Sequence, residues 1–132
     1  MKISTRNVTI AVHFVLLLLT GYAINANEKA SLIAPEQAAQ LTYTEEAIIV
    51  DVRSTGEWQS GHIPNAKHIP LDQLKSRFSE LEQYKDRPII MQCQGGVRSA
   101  KAAQMLKEAG FSKVFDLEGG LNAWEKEGLP KD

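Results

Sequence analysis

The 132-residue sequence has one cysteine, Cys93, and only three histidines. One cysteine excludes an internal disulfide, and so few cysteines and histidines, in no recognised ligand spacing, exclude a zinc site. No run of Lys and Arg occurs, and no basic stretch is interleaved with aromatic residues, so nucleic-acid binding has no support. The sequence also has no internal repeat and no low-complexity segment. Its length therefore predicts one domain with a single core.

One long apolar run is present, at residues 8–24. It follows the basic residues Lys2 and Arg6 and precedes small and polar residues, which is the pattern of a secretory signal peptide. We expect residues 1–26 to be removed, which leaves residues 27–132 as the mature domain. The alternative is an uncleaved membrane anchor, because the run is at the short limit for a membrane-spanning helix.

Either outcome places the domain across the membrane, because the basic residues before the apolar run stay inside. Cleavage after Ala23 would also suit a signal peptidase. Lys2 and Arg6 are the only charged residues before residue 28, so the remaining domain is mildly acidic. We expect contact with the membrane only if the leader is uncleaved.

Short apolar runs alternate with helical patterns along the rest of the chain. Residues 47–50 and 89–91 are apolar without alternation, which predicts strands buried on both faces of a sheet. Further extended segments are predicted at residues 32–34, 67–70 and 113–117. Helices are predicted at residues 35–41, 57–59, 71–84, 98–109 and 121–128. This alternation predicts an α/β fold with a largely parallel sheet.

The longest of these helical patterns lies at residues 71–84. Leu71, Leu74, Phe78 and Leu81 recur at steps of three and four. This spacing places apolar side chains on one face and predicts a single continuous helix that packs on the core.

The residues that carry chemistry follow the strand at 89–91. Glycines after Cys93 let backbone N–H groups turn inward around one point. The N-terminus of the next helix adds positive potential, which favours a thiolate over a thiol. We therefore predict an anion-binding cup with a nucleophile at its floor, and an inert buried cysteine is the alternative. Cys93 is the candidate nucleophile, and the candidate cup residues are Gln94, Gly95, Gly96, Val97 and Arg98.

A second candidate group, Asp51, Arg53 and Glu57, follows the strand at 47–50. Ligands of parallel α/β sheets bind beyond the carboxyl ends of the strands, so we expect this group and Cys93 to share one site. Arg53 either touches substrate or pairs with Asp51 or Glu57. We favour pairing, which makes these three residues supports for the site.

Nearby residues have structural interpretations. His62 is read as a hydrogen-bonded turn residue in preference to a catalytic base, and His68 is given no role. Trp58 and Trp124 are expected to pack in the core or at its edge. The glycines at 119–120 are expected to permit a tight strand-to-helix turn near the site.

The length of the cysteine loop separates two chemistries. Four residues lie between Cys93 and Arg98, one fewer than in protein tyrosine phosphatases, whose loop encircles a tetrahedral phosphoryl group. A smaller cup suits a sulfur atom carried on the cysteine, with N–H groups that stabilise the charge of a persulfide. Phosphatase or arsenate-reductase chemistry is the less favoured alternative.

At this point the sequence resembles the rhodanese family of sulfurtransferases. The resemblance covers nearly all of residues 31–130, and its matching blocks occur in the family's order. These blocks are residues 51–53 with 57–58, 61–66, 93–99, and 117–124 with 128–130. The resemblance implies a rhodanese-like α/β fold, with about five mostly parallel strands in a central sheet and helices on both faces.

The resemblance implies a two-step sulfur transfer that needs no metal or organic cofactor. The Cys93 thiolate attacks the outer sulfur of thiosulfate or a similar donor, which releases sulfite and leaves a persulfide. A thiophilic acceptor, either cyanide or a thiol, then removes the sulfur. Arg98 would hold the anionic donor or steady the loop.

The main alternative is a persulfide carrier that binds sulfur or relays it to a partner protein without turnover of its own. With its leader, the chain resembles small exported single-domain rhodaneses of bacteria. This resemblance implies a periplasmic protein, or one anchored to the inner membrane by residues 8–24. We expect a monomer.

Overall fold

The computed structural model describes residues 29–132. The expected signal peptide, its cleavage site and the alternative anchor lie outside the described residues. Within residues 29–132, no helix has the length and apolar character needed to cross a membrane.

Five strands form one sheet, in which every pairing is parallel. The strands are β1 (Ser31–Ile33), β2 (Ile48–Asp51), β3 (Lys67–His68), β4 (Ile89–Gln92) and β5 (Val114–Leu117). Their order across the sheet is β1-β5-β4-β2-β3. The two predicted buried strands, β2 and β4, are neighbours near the middle of the sheet. The predicted α/β fold with a five-stranded parallel sheet is confirmed.

Five α-helices and one 3₁₀ helix connect the strands. The α-helices are α1 (Pro35–Thr44), α2 (Thr55–Gln59), α3 (Leu71–Leu74), α4 (Val97–Glu108) and α5 (Gly120–Lys126), and the 3₁₀ helix is Lys75–Tyr84. Ser54 caps α2, because its hydroxyl accepts the backbone N–H of Glu57. All the helices start within two residues of a predicted start except the 3₁₀ helix.

The prediction of one continuous helix at residues 71–84 is wrong. The α-helix ends at Leu74, and Arg77 interrupts the following 3₁₀ helix with φ −116° and ψ 15°. Beyond that point, Phe78, Leu81 and Tyr84 pack on the core at steps of three. A step of three matches the period of a 3₁₀ helix, whereas an α-helix would rotate the third side chain away.

Apolar side chains cover both faces of the sheet, since successive strand residues point to opposite sides. Val50 and Met91 lie in one cluster, which α4 covers, whereas Ile49 and Ile90 lie in the other. α1 and α5 cover the second cluster, and Trp124 is buried there. The predicted arrangement of helices on both faces is confirmed, and so is the packing role of Trp124.

The carboxyl ends of the two central strands lie side by side. Asp51 is the partner of Gln92 in the parallel register, and Cys93 follows directly. The backbone N–H of Val52 donates to the Gln92 carbonyl at 2.9 Å, which extends the pairing to the point where both chains leave the sheet. The loop after β2 and the loop after β4 therefore share one edge, as predicted.

Candidate active site

Cys93 lies at the floor of the loop between β4 and α4, with only 1% of its surface exposed. The backbone N–H of Gly96 donates to its sulfur at 3.0 Å. Gly96 has a φ of +105°, a conformation that residues with a side chain rarely adopt. Because α4 begins at the next residue, the positive end of its dipole lies beside the sulfur.

The first turn of α5 holds the same loop from the other side. The N–H groups of Leu121 and Asn122 donate to the carbonyls of Cys93 at 2.8 Å and Gln94 at 3.1 Å. A Cβ atom at Gly120 would lie 2.5 Å from the Cys93 carbonyl oxygen. Gly120 therefore permits the close approach of α5 to the loop, beyond the tight turn expected from the sequence.

Asp51 and Arg53 form a buried ion pair behind the loop. Arg53 Nη2 lies 2.7 Å from Asp51 Oδ2, and Arg53 Nε donates to both carboxylate oxygens. The other guanidinium donors reach Gln94 Oε1 at 3.1 Å and the Gly61 carbonyl at 2.8 Å. The expected pairing of Arg53 is therefore present with Asp51 and not with Glu57.

The side chains of the predicted cup residues do not all face Cys93. Gln94 bridges two neighbours, because its Oε1 accepts from Arg53 and its Nε2 donates to Asn122 Oδ1 at 2.6 Å. Val97 is 85% exposed, and Gly95 has no side chain to contribute. Among these residues, the bond to the sulfur comes from the backbone N–H of Gly96, whereas the predicted cup has several inward N–H groups.

Arg98 and Glu57 form a second ion pair at the rim. Arg98 Nη1 and Nη2 donate to the two Glu57 carboxylate oxygens at 2.7 and 2.9 Å. The side chains are 39% and 33% exposed. The hydrogen bonds from Arg98 are the main cause that lowers the pKa of Glu57 from 4.5 to about 2. Arg98, which the sequence assigns to the donor or the loop, is here held by a carboxylate.

Trp58 is stacked between two histidines at the edge of the site. The ring centroids of His62 and His68 lie 3.6 and 4.8 Å from that of Trp58. His62 Nδ1 is hydrogen-bonded to the Trp58 carbonyl, and His68 Nε2 to the Arg53 carbonyl. The structural interpretation of His62 agrees with this geometry. His68, which was given no role, helps to fix the backbone at Arg53.

Sequence reasoning missed Ser99 and Asp116, which form a hydrogen-bonded chain beneath Cys93. Cys93 Sγ lies 3.3 Å from Ser99 Oγ, and Ser99 Oγ donates to Asp116 Oδ1 at 2.6 Å. Burial raises the pKa of the Asp116 carboxyl, and its bond from Ser99 opposes this shift. The sequence feature that could have identified Asp116 is its position as an acidic residue within the otherwise apolar strand β5.

Metal ligation has no candidate among residues 29–132, since no three or more His, Cys, Asp and Glu side chains are grouped to hold an ion. The polar groups around Cys93 are the Gly96 amide, the Ser99 hydroxyl and two ion pairs. This set of groups can stabilise an anion on sulfur and receive an anionic ligand.

Fold and site together define a protein with a buried cysteine in a loop at the carboxyl edge of a parallel α/β sheet, where a backbone N–H donates to the sulfur. The family model described as Rhodanese-like domain matches residues 34–127, and the chain belongs to this family.

Similar proteins of several descriptions share this fold. A sulfurtransferase of Allochromatium vinosum is 37% identical over 91 residues, which span 69% of this chain and 83% of that protein. A rhodanese-related protein of Thermoplasma volcanium has a TM-score of 0.70 and 29% identity, over 77% of this chain and 97% of that one. A Rhodopseudomonas palustris protein of unknown function, described as a possible tyrosine phosphatase, has a TM-score of 0.71 and 28% identity, over 81% and 88%.

Proposed function

We propose that this protein is a sulfurtransferase that moves a sulfane sulfur from thiosulfate, or a similar anionic donor, to cyanide or a thiol. The carrier of the sulfur is a persulfide on Cys93. The observation that carries the proposal is the Gly96 N–H at 3.0 Å from the Cys93 sulfur, beside the N-terminus of α4. Membership of the Rhodanese-like domain family supports sulfurtransferase chemistry of this kind.

In the first step, the Cys93 thiolate attacks the outer sulfur of thiosulfate. The new S–S bond forms as the old one breaks, and sulfite leaves with the electron pair of the broken bond. The negative charge moves to the outer sulfur of the persulfide. The Gly96 N–H and the helix dipole act on that charge without reorganising, which is the condition for electrostatic catalysis.

Arg98 has to change partners for this step. Its guanidinium is bound to Glu57 at the rim, and both side chains are partly exposed. Exposed ion pairs are weak, so an anionic donor that enters the loop competes with Glu57 for Arg98 at low cost. Two anions, the donor and the thiolate, then meet beside one cation that reduces their repulsion.

In the second step, cyanide or a thiolate attacks the outer sulfur of the persulfide. The S–S bond breaks towards Cys93, which takes the electron pair and returns to the thiolate. Thiocyanate or a new persulfide leaves.

The test is the formation of thiocyanate from thiosulfate and cyanide by the purified full-length chain. We expect turnover in the wild type and none above background in Cys93→Ala. Equal rates for the two proteins would overturn the proposal. An aryl phosphate serves as a control substrate, because the loop is one residue shorter than that of the phosphatases and predicts no hydrolysis.

A sulfur carrier is the second candidate, and exposed Val97 favours it. This apolar side chain is 85% exposed at the end of the loop, where a partner protein would meet the persulfide. A carrier would form the Cys93 persulfide, transfer it slowly to small acceptors and quickly to a partner. Comparison of the rates of persulfide loss to cyanide and to candidate proteins separates the two functions.

We also propose export of a monomeric domain after removal of residues 1–26. The basic n-region and the apolar run of residues 8–24 support export. N-terminal sequencing of protein recovered from the periplasmic fraction is expected to begin at Asn27. An intact N-terminus in the membrane fraction would favour the anchored form.

A further inference from the structure

Three buried side chains form a continuous hydrogen-bonded path from the floor of the loop into the sheet. Cys93, Ser99 and Asp116 are 1%, 0% and 4% exposed. The Cys93 thiol donates to Ser99 Oγ at 3.3 Å, and Ser99 Oγ donates to Asp116 Oδ1 at 2.6 Å. Each group in the path can pass on a proton, and the last is the conjugate base of an acid.

The far end of this path reaches solvent by a second route. Asp116 lines a cavity of about 740 Å³ between β1 and α4. Its other lining residues are Lys29, Ala30, Leu32, Ala100 and Gln104. Leu32 is 62% exposed and Ala100 is exposed, so the cavity opens to the surface. Ala100 and Gln104 lie four residues apart on one face of α4, whereas Arg98 and Lys101 lie on another face.

We propose that Ser99 and Asp116 are the proton acceptor system for the Cys93 thiol. The S–H bond of Cys93 breaks as its proton passes to Ser99 Oγ, and the proton of Ser99 passes to Asp116 Oδ1. The products are a thiolate and a neutral carboxylic acid, so the net charge of the buried path is unchanged. The proton then leaves through the Asp116 cavity while the donor occupies the loop. This inference rests on the proposed function, because the thiolate it generates is the nucleophile of the first step.

The charges around Asp116 suit this role. Among the described residues Asp116 has no ion-pair partner, and its strand neighbours Leu32 and Met91 are apolar. Burial raises the pKa of its carboxyl, which makes it a better proton acceptor. The other titratable groups that face it are Cys93, through Ser99, and Lys29 in the cavity wall.

α4 presents only uncharged side chains to Asp116: Ser99, Ala100 and Gln104. Lys107, a cation on that helix, donates to the Lys29 carbonyl at 3.4 Å. In the alternative, structural role, the hydrogen bond between Ser99 and Asp116 only holds α4 against β5, and no proton is exchanged. The two roles differ in where the proton lies when Cys93 ionises.

The experiment follows the titration of Cys93 in the purified full-length chain with no sulfur donor present. Ultraviolet absorbance of the thiolate, taken as the difference from Cys93→Ala to remove the contribution of the three tyrosines, reports on Cys93, because the chain has one cysteine. The infrared C=O stretch of a carboxylic acid reports on protonated Asp116. The variants are Asp116→Asn, Ser99→Ala and Ser99→Thr, and Asp86→Asn is the matched control at an exposed carboxylate.

We expect the wild-type thiolate to form in two steps, since two groups that share a proton titrate as a pair. The carboxylic-acid signal of Asp116 should persist through the first step and disappear in the second. Asp116→Asn should give one step and lose the signal. In Ser99→Ala, the pH at which the thiolate forms should rise by about one unit. At a fixed pH below this transition, the fraction of thiolate should therefore fall about tenfold. Ser99→Thr, which keeps the hydroxyl, and Asp86→Asn should behave as the wild type.

A single-step titration shared by the wild type, Asp116→Asn and Ser99→Ala would overturn the relay. So would a carboxylic-acid signal that Asp116→Asn retains. If Asp116→Asn fails to fold, the contrast between Ser99→Ala and Ser99→Thr carries the test. The titration contains no donor, so it does not depend on sulfur transfer. If only the proposed function fails, the two-step titration remains, and the failure appears as the absence of persulfide in a separate incubation with thiosulfate.

Discussion

Two arginine–carboxylate pairs flank the Cys93 loop, and they differ chiefly in burial. The Arg53–Asp51 side chains are 3% and 0% exposed, whereas those of Arg98 and Glu57 are 39% and 33% exposed. Arg53 also bonds to Gln94 and to the Gly61 carbonyl. Among the described residues, Arg98 has only Glu57 as a side-chain hydrogen-bond partner.

This difference assigns different tasks to two similar pairs. A buried charge cannot change partner without leaving an uncompensated charge in the interior, so the Asp51–Arg53 pair is fixed. An exposed pair is worth little to folding, so Arg98 can leave Glu57 for a ligand. The first pair therefore fixes the structure of the site, and the second leaves Arg98 available for a ligand.

Substitution of Asp51 by Asn should have the largest effect on folding. It leaves the Arg53 guanidinium buried without its counter-charge, which should lower the free energy of unfolding by about 3–5 kcal/mol. Urea-induced unfolding measures this change, and Asp86→Asn is the control at an exposed carboxylate. A loss no larger than that of the control would remove the distinction between the two pairs.

Substitution of Arg98 by Met should instead act on catalysis. Loss of a charge-assisted bond to the donor, worth about 1.5–3 kcal/mol, should reduce kcat/KM for thiosulfate about 10- to 100-fold. Stability should change by no more than about 1 kcal/mol. Arg77→Met is the matched control, because Arg77 forms a partly exposed pair with Glu80 on the 3₁₀ helix. An equal loss of activity in both variants would exclude a direct role for Arg98.

Removal of the competing carboxylate should have a smaller and opposite effect. In Glu57→Gln, Arg98 no longer has an anionic partner, so the KM for thiosulfate should fall roughly two- to fivefold, which corresponds to a weak exposed pair. Steady-state kinetics with varied thiosulfate measure the change, with Glu80→Gln as the control. A KM that rises would mean that Glu57 positions Arg98 for the donor and does not compete for it.

The smallest effect should be the dependence of stability on pH. The pKa of Glu57 is lowered from 4.5 to about 2 in the folded protein, chiefly by hydrogen bonds from Arg98. A carboxyl with a depressed pKa stabilises the fold above its ordinary pKa and loses that contribution as pH falls through the folded value. The difference in unfolding free energy between the wild type and Glu57→Gln should be constant above about pH 5 and vanish towards pH 2. A difference independent of pH would contradict the ion pair.

Local patterns predicted much of the fold and the position of the Cys93 loop. Apolar runs without alternation mark β2 and β4, and a glycine-rich turn before a helical pattern marks the Cys93 loop. The rule that ligands bind at the carboxyl edge of parallel strands then brought Asp51 and Cys93 together. These signals lie within a few residues of the features that they predict.

Contacts between distant parts of the chain were not predictable in the same way. Arg98 and Glu57 are 41 residues apart, and Ser99 and Asp116 are 17 apart. Which carboxylate each group meets depends on how α2, α4 and β5 pack, and no local pattern records that. The apolar spacing at residues 71–84 is likewise compatible with both an α-helix and a 3₁₀ helix, and tertiary packing decides between them.

The most direct test of the account is the intact mass of the protein after incubation with thiosulfate and removal of excess donor. We predict that the wild type gains the mass of one sulfur atom, that peptide analysis places it on Cys93, and that cyanide removes it. Cys93→Ala should gain nothing. A wild-type mass that stays unchanged, or an equal gain in Cys93→Ala, would contradict a Cys93 persulfide as the carrier of sulfur.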